Sequence, residues 1–284
     1  MSPKTKYANT QPTIGIIEKV EYECEDTQTF YIKLPYTISD VRAGQFIMLW
    51  IPGVDEFPIG VAGYKNNILE LGISEVGEGT KALFALSEGA KVGIRGFYGK
   101  PFAPPKNVQH FIVGGGFGMT PLKLLITQLL ERNTDEKILV FEGARTKNRL
   151  LYYNWLIDLE KKGKIKLYLC TDDGTVGYHG FPTVLIEEKL KEITEPVVIY
   201  AAGPEKMMKA VYEIGTKYPH VVDMQMSLAD RYMRCGFGLC SACAVDPTGW
   251  RICVDGPVFN KEQLAQIEDF GKYNRTATGE KNKI

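Results

Sequence analysis

The sequence lacks any run of 18 uninterrupted apolar residues, so no membrane-spanning helix is expected. Its N-terminus, residues 1–13 (MSPKTKYANTQPT), also lacks the apolar core of a signal peptide. Neither sign of charge dominates, because 34 Lys and Arg residues balance 34 Asp and Glu residues. That balance gives no support for nucleic acid as the main partner. These absences predict a protein of the reducing cytoplasm that binds neither membrane nor nucleic acid.

Histidine is scarce as well. The three histidines, His110, His179 and His220, stand in strand or turn contexts that are typical of structural positions. We therefore predict no catalytic residue in this chain. With 284 residues, of which 44% are hydrophobic and 24% charged, the chain is long enough for two or three globular domains.

Cysteine is concentrated in one stretch, because four of the six cysteines lie within residues 233–259. Their spacing is C-x4-C-x2-C-x9-C, and the first three match the plant-type [2Fe–2S] pattern, with a fourth ligand from further along the chain. Glycines between the first two cysteines allow the positive φ and close backbone approach that such a loop needs. The predicted cluster ligands are Cys235, Cys240, Cys243 and Cys253.

Other uses of these cysteines fit less well. A structural zinc site usually shows two C-x2-C pairs or mixed Cys and His ligands, so zinc stays open as a minor alternative. Disulfides need an oxidising compartment, which nothing in the sequence indicates. The other two cysteines, Cys24 and Cys170, are typical of single thiols packed in a core.

The first region, residues 1–105, contains short β-branched and aromatic runs that Gly, Pro and Asn turns separate. This pattern predicts a small antiparallel barrel, with or without a ligand. The predicted strands are residues 13–23, 29–34, 45–51, 68–73 and 91–95.

One stretch of this region favours a ligand. In residues 77–84, glycines lead into an amphipathic segment with Thr80 at the expected N-cap. Because a helix N-terminus presents free N–H groups, Gly79 and Thr80 are candidate phosphate-binding residues. Residues 95–102 form a turn that closes the barrel before the next region.

The middle region, residues 106–226, alternates strands with helices, which predicts a parallel sheet with crossover helices. The predicted strands are residues 109–113, 137–141, 165–170, 197–200 and 221–226, and the predicted helices are residues 121–131, 150–161, 183–191 and 205–216.

Two turns of the middle region are candidate nucleotide-binding sites. The first is a glycine-rich loop between a strand and a helix, where a dinucleotide pyrophosphate binds, although a tight turn without ligand is also open. Met119 occupies the last position of its G-x-G-x-x-G pattern. The second turn follows the fourth strand at the same sheet edge. The candidate residues are Gly114, Gly115, Gly116 and Gly118 in the first turn and Gly203 and Pro204 in the second.

The choice between NAD and NADP stays open on these residues. Glu142, at the end of the second strand, is expected to bind a ribose 2′-hydroxyl, whereas Arg145 and Lys147 suit a 2′-phosphate. The last region, residues 227–284, holds the cysteines and ends in a polar, basic stretch, residues 271–284. This stretch is predicted to be a loose tail, and docking on a partner is the alternative.

The order of barrel, nucleotide region and iron–sulfur cysteines resembles that of ferredoxin reductase-like electron-transfer chains. Within that family the sequence is most similar to the electron-transfer subunits of NAD-linked dihydroorotate dehydrogenases. Flavin subunits of cytosolic hydrogenases and of anaerobic sulfite reductases are similar in the same motifs. The resembling stretches are residues 44–46, 76–80, 98–102, 114–122, 172–177, 203–204, 235–259 and 270–273.

The resemblance implies a barrel that holds FAD. The family's flavin motif is Arg-x-(Tyr or Phe)-(Ser or Thr), and the equivalent stretch here is Phe57, Pro58, Ile59 and Gly60. The motif's arginine, stacking aromatic and hydroxyl are thus absent. Likewise, Ala202 stands where the family has a cysteine before Gly-Pro at the nicotinamide site.

The resemblance also implies a function. In these enzymes dihydroorotate is oxidised at FMN in a catalytic partner subunit, and electrons pass through the [2Fe–2S] cluster and FAD to NAD in pyrimidine biosynthesis. We therefore expect an FMN-containing partner, in a heterotetramer. Two alternatives stay open: a relay subunit of another redox complex, of the hydrogenase or sulfite reductase type, and a relay that no longer uses NAD.

Overall fold

The structure is a computed structural model that describes residues 10–284. The polar N-terminus was the basis for expecting no signal peptide, and its first nine residues lie outside the described part. Among the helices of residues 10–284, none combines the length and the apolar character that a bilayer crossing requires.

The first part of the chain forms one antiparallel sheet of seven strands in the order β4-β3-β7-β1-β2-β6-β5. Helix α1, Glu78–Phe84, lies between the last two strands in sequence. The strands are β1 Thr13–Cys24, β2 Thr27–Lys33, β3 Phe46–Ile51, β4 Asp55–Gly60, β5 Gly63–Lys65, β6 Ile68–Ser74 and β7 Lys91–Tyr98.

The sheet closes into a barrel because its two edge strands are consecutive parts of one chain segment. Strand β4 pairs with β3, and β5 pairs with β6. Between them, the Val61 N–H donates to the Gln45 carbonyl at 3.1 Å and the Ala62 N–H donates to the Glu70 carbonyl at 3.0 Å. Closure removes the free edges that an open sheet exposes, and the predicted antiparallel barrel is confirmed.

A second sheet contains six parallel strands and one antiparallel edge strand, in the order β11-β10-β9-β8-β12-β13-β14. Its strands are β8 Gln109–Gly115, β9 Ile138–Ala144, β10 Lys166–Thr171, β11 Tyr178–His179, β12 Val197–Ala202, β13 Val221–Ser227 and β14 Val258–Phe259. Its helices are α2 Met119–Glu131, α3 Tyr153–Lys161, α4 Pro182–Glu192 and α5 Glu205–Gly215.

The central strands of this sheet are apolar along their whole length. Strand β12 reads VVIYAA with every residue buried, because helices cover both faces of a parallel sheet. Helix α2 places an apolar face against the sheet, and Pro121 fits in its first turn, where the missing N–H costs nothing. The predicted strands and helices of both regions are confirmed, apart from shifts of a few residues at their ends.

The C-terminal part is built on the second sheet. Helix α6, Ile252–Asp255, carries one of the cysteines and leads into β14, which pairs with β13. Helix α7, Lys261–Leu264, follows, and β15, Tyr273–Arg275, pairs with β16, Lys281–Lys283. The prediction of a loose tail is therefore wrong, because residues 273–283 form a hairpin.

Two buried hydrophobic clusters hold the molecule together. One fills the barrel and continues under α2. The other lies under α4 and α5 and joins Phe46 and Met48 of the barrel to Cys243 and Cys253. The cysteine segment is thus packed against both sheets. The boundaries at residues 105 and 226 stay predictions.

Candidate functional site

The four clustered cysteines are arranged as two pairs. The sulfur atoms of Cys243 and Cys253, both buried, are 3.4 Å apart. Two thiolates on one tetrahedral metal ion, with bonds of about 2.3 Å, would be roughly 3.8 Å apart, so this spacing suits a shared ion. Cys235 and Cys240 form the second, more exposed pair. Within residues 10–284, no three His, Cys, Asp or Glu side chains converge on a single point as ligands of one ion would.

The loop between the first two cysteines wraps its backbone around a sulfur atom. Gly236 and Gly238 have φ values of +82° and +85°, which side chains rarely adopt. This turn aims the Leu239 N–H at the Cys235 sulfur, 3.3 Å away. Such N–H donors favour the thiolate form that binds metal.

The protonation states of the pairs also suit a cation. Burial disfavours the Cys235 thiolate, but hydrogen bonds from the Cys240, Phe237 and Leu239 backbone outweigh it and lower the pKa of Cys235 to about 7. The hydrogen bond with Cys253, opposed by burial, lowers the pKa of Cys243 to about 6, and the same contact raises the pKa of Cys253. Two thiolates so close repel each other, and an iron ion between them would remove that repulsion.

Barrel side chains hold this loop from the opposite side. Arg95, on β7 and 7% exposed, donates from Nη2 to the Cys235 carbonyl at 3.2 Å. Its Nε and Nη2 also donate to the two carboxylate oxygens of Glu56 on β4, at 2.6 Å each. A Cβ on Gly236 would lie 2.8 Å from Met48, so the loop lies directly on the barrel wall.

A second arginine fixes the other side of the loop. Arg251 donates from Nη1 to the Gly238 carbonyl at 2.6 Å. The Ile252 N–H donates to the Cys243 carbonyl at 3.1 Å. These bonds hold the segment that carries Cys253 against the cysteine loop, close enough that the charge of Cys235 contributes to raising the pKa of Cys253. The residues present fit a four-thiolate [2Fe–2S] cluster, two thiolates to each iron.

The two candidate nucleotide turns face each other. In the second sheet, β8 and β12 are neighbours. The strands that follow β8 in the chain, β9 to β11, are added on one side of this pair, and β13 is added on the other. Such a change of direction is the switch point where parallel sheets bind ligands. A Cβ on Gly118 would lie 2.2 Å from the Ala202 carbonyl oxygen. Gly203, with φ +141°, packs on Gly115 in the same way. The structure thus brings the glycine-rich loop and the Gly203–Pro204 turn together, and the crevice suits a dinucleotide.

The stretch predicted to meet FAD lies on β4 and touches both other candidate sites. A Cβ on Gly79 would lie 2.7 Å from the Phe57 ring, so the first turn of α1 packs on β4. At the other end of the stretch, Gly60 lies beside Pro121 of α2. A Cβ on Gly60 would lie 3.7 Å from the Cβ of Pro121. Pro58 is half-buried and Ile59 is buried. These contacts leave backbone, rather than long side chains, available to a flavin between the barrel and the glycine-rich loop.

Thr80 has a different local role from the one expected. The N-cap of α1 is Gly77, and Thr80 is the third helical residue. Its hydroxyl accepts from the Val76 and Gly77 N–H groups at 2.9 and 3.0 Å. The N–H groups of the first helical turn still lack intrahelical acceptors, as in any α-helix, so a phosphate can bind there through backbone alone.

Glu142 was expected to meet a ribose, and the structure contradicts this. The side chain is wholly buried, and its Oε1 accepts from the Leu151 N–H at 2.6 Å. Burial raises the pKa of Glu142 well above its ordinary value. With no exposed surface, this carboxyl is not presented to a ribose at the sheet edge.

No pattern in the sequence predicts the barrel residues that contact the cysteine loop. Arg95 and Cys235 are 140 positions apart, and the stretch around Arg95 was recognised only as a turn that closes the barrel. Glu56 precedes the flavin stretch by one residue, yet the pairing that brings it to Arg95 depends on barrel register.

Two parts of the chain match known protein families. Residues 230–265 match the family model of the iron–sulfur cluster binding domain of dihydroorotate dehydrogenase B, and residues 112–213 match the oxidoreductase NAD-binding domain. A solved structure described as an NADH-dependent reduced ferredoxin-NADP oxidoreductase is similar over 93% of this chain and 95% of its own, with 27% identity and a TM-score of 0.73. A cytochrome P450 reductase, GcoB from Amycolatopsis, shares the fold over 75% of this chain and 67% of its own, with 21% identity and a TM-score of 0.65.

Curated relatives are more similar in sequence. The "Probable dihydroorotate dehydrogenase B (NAD(+)), electron transfer subunit" of Methanocaldococcus jannaschii is 39% identical over 95% of this chain and 98% of the relative. The protein of the same name from Pyrococcus horikoshii is 40% identical over 84% of this chain and 87% of the relative.

The fold and the paired thiols define a ferredoxin reductase-like oxidoreductase with an iron–sulfur segment. Within that class, the chain belongs to the family of electron transfer subunits of dihydroorotate dehydrogenase B.

Proposed function

We propose that this chain carries electrons from a catalytic subunit that oxidises dihydroorotate, through a [2Fe–2S] cluster and FAD, to NAD⁺. The observation that carries the proposal is the pairing of four thiols in a segment packed against both the barrel and the nucleotide sheet. That packing puts a one-electron site next to the two regions that suit a flavin and a nicotinamide.

Each region has its own part in this function. Residues up to 105 hold FAD, residues 106–226 bind NAD and residues 227–284 hold the cluster. In support, the first sheet ends at Tyr98, the second begins at Gln109, and the two family models match residues 112–213 and 230–265. The cluster ligands are Cys235, Cys240, Cys243 and Cys253.

The protein's own contribution is positioning. When bound, the cluster carries single electrons and the flavin joins single-electron transfer to hydride transfer, the step that NAD requires. The chain holds the cysteine loop on the barrel wall, offers helix and loop N–H groups to phosphates, and keeps the glycine-rich loop tight against the Ala202–Gly203 backbone. It has no base assigned to abstract a substrate proton, so dihydroorotate oxidation belongs to the partner.

The partner is an FMN-containing catalytic subunit, bound in a heterotetramer. The surface beside the cysteines suits such a contact, since Leu239 is 76% exposed and Val254 37% exposed next to the exposed Cys240. A cluster that passes electrons to another chain has to lie near such an apolar, exposed surface.

The test uses anaerobically purified full-length chain with its cofactors. Dihydroorotate alone should leave flavin and cluster absorbance unchanged, and adding the catalytic subunit should bleach both. Bleaching without a partner would contradict the proposal, as would failure to bleach with the partner present. A hydrogenase- or sulfite reductase-type catalytic chain that co-purifies and reduces the cluster would assign the subunit to another complex.

A second candidate is a relay that no longer uses NAD. It is favoured by Ala202, which leaves no thiol at the position where the family has a cysteine, and by Gly60, which leaves no hydroxyl beside the flavin. Titration with NADH separates the two candidates. Stoichiometric loss of flavin absorbance supports NAD turnover, whereas an unchanged spectrum supports the second candidate.

A further inference from the structure

One ion pair connects the strand proposed to hold FAD with the loop that holds the cluster. Glu56 directly precedes Phe57 on β4, and Arg95 lies on β7, two strands away across the barrel wall. The guanidinium of Arg95 binds both oxygens of Glu56 and the carbonyl of Cys235.

The geometry of this link is unusually restrictive. Arg95 is 7% exposed, and its fork matches the carboxylate with two parallel bonds. The guanidinium also lies 5.6 Å from the ring centre of Phe237, between the first two cysteines, and 5.9 Å from that of Tyr98. The hydrogen bonds with Glu56, opposed by burial, raise the pKa of Arg95, so it stays charged.

Cys235 is consequently held at both ends. Its sulfur accepts from the Leu239 N–H and its carbonyl accepts from Arg95. Groups that hold a metal ligand from behind set the ligand's orientation and the potential of the metal.

We propose that Arg95, oriented by Glu56, is a positioning residue that sets the reduction potential of the cluster. It also fixes the cysteine loop relative to β4, the strand proposed to hold FAD and called the flavin strand below. This inference rests on the proposed function, since it assumes a [2Fe–2S] cluster on Cys235 and its three partners. It concerns a barrel residue distant in sequence from every ligand.

The charges predict the sign of each effect. Reduction adds an electron to the cluster, so a nearby positive charge stabilises the reduced form and raises the potential. Replacing Arg95 removes that charge and leaves Glu56 unpaired, which lowers the potential. Neutralising Glu56 leaves the guanidinium uncompensated, which raises it. A purely structural link would instead move both variants in the same direction.

The experiment is a redox titration of the full-length protein, with its cofactors bound, followed by electron paramagnetic resonance of the reduced cluster. Arg95→Met should shift the midpoint to lower potential and broaden the signal, and flavin-to-cluster electron transfer should slow several-fold. In Arg95→Lys the midpoint potential should lie between those of the wild type and Arg95→Met. The signal should stay broad, because an ammonium cannot form the two-pronged contact. Glu56→Gln should shift the midpoint upward.

Arg149→Met is the control, because Arg149 also donates to carboxylates of the barrel, Glu25 and Asp26 at 3.1 Å each, but links them to the nucleotide region and lies away from the cysteine loop. It should leave the midpoint and signal unchanged. Equal shifts of Arg95→Met and Glu56→Gln in one direction, or no shift in either, would overturn the inference. If Arg95→Met does not fold, the opposite shifts of Arg95→Lys and Glu56→Gln decide. Wild-type protein without iron and sulfide would refute the proposed function instead, before any variant is compared.

Discussion

The cysteine loop and the flavin strand of this molecule are assembled in different ways. The cysteine loop draws its ligands from residues 235–253 and shapes itself with two glycines in the left-handed region. The region around β4 is assembled from three distant segments, where Gly79 meets Phe57 and Gly60 meets Pro121. The function of a site made by one loop can be predicted from the spacing of its residues in the sequence, whereas that of a site assembled by packing of distant segments cannot.

Loss of one cysteine should have the largest effect and should be confined to the cysteine loop. Cys243→Ser removes a thiolate from the buried pair, so the chain should lose nearly all of its iron and sulfide, about two of each in the wild type. Cys170→Ser is the control, since that thiol is buried elsewhere and burial raises its pKa to about 12. Iron and sulfide analysis of anaerobic protein is the measurement. Stoichiometric zinc and no iron in the wild type would contradict the assignment.

A charge at the first turn of α1 tests the flavin region with the next largest effect. Thr80→Glu places a carboxylate where phosphate is proposed to bind, and about 1 kcal/mol of repulsion should weaken flavin retention several-fold. Thr80→Gln supplies similar bulk without charge and should keep its flavin. The flavin-to-protein ratio after gel filtration is the readout, and iron content should not change in either variant. Equal flavin loss in both variants would attribute the effect to bulk.

A single methyl group tests the contact between the two nucleotide turns. Gly118 has φ −61° and ψ −17°, which alanine tolerates, but its Cβ would lie 2.2 Å from the Ala202 carbonyl oxygen. Gly118→Ala should force the turns apart, cost roughly 1–3 kcal/mol of stability and slow flavin reduction by NADH. Gly116→Ala is the control in the same loop, because its Cβ position meets no atom within 4 Å, although its φ is +50°. It should lose a similar roughly 1–2 kcal/mol of stability through backbone strain but keep fast flavin reduction by NADH, since the turns stay together. Fast NADH reduction in Gly118→Ala would place nicotinamide binding elsewhere.

Glu142 provides the smallest test, which separates a core acid from a ligand contact. Because burial raises its pKa, the folded chain binds more protons than the unfolded chain at pH above the ordinary value of 4.5. Stability is therefore full below that value and falls as pH rises towards the folded pKa, by at most about 1.4 kcal/mol per pH unit. Glu142→Gln should remove this slope in thermal melts between pH 5.5 and 8, with unchanged NADH affinity. Weaker NADH binding would restore Glu142 as a ribose contact.

The sequence predicts well those features that depend on residues close together in the chain. The C-x4-C-x2-C-x9-C spacing, the glycine-rich loop and the alternation of strands and helices all depend on local rules. The prediction for Glu142 failed because polarity at a strand end does not reveal burial. Arg95 was missed because barrel closure and register, which no local pattern encodes, bring it to Cys235.

The buried charge network around Arg231, just before the C-terminal hairpin, limits how this protein can be shortened or tagged. Arg231, 6% exposed, donates to Glu205 at 2.9 and 2.5 Å and to Asp269 at 2.8 Å, so the start of α5, the cysteine segment and the chain end share one buried charge network. Cutting the chain before Asp269 would remove two acceptors of the buried Arg231 guanidinium, and an unsatisfied buried donor is costly. An affinity tag appended after Ile284 leaves the network intact, whereas a truncation that looks conservative on a sequence alignment would release the cysteine segment from the nucleotide sheet.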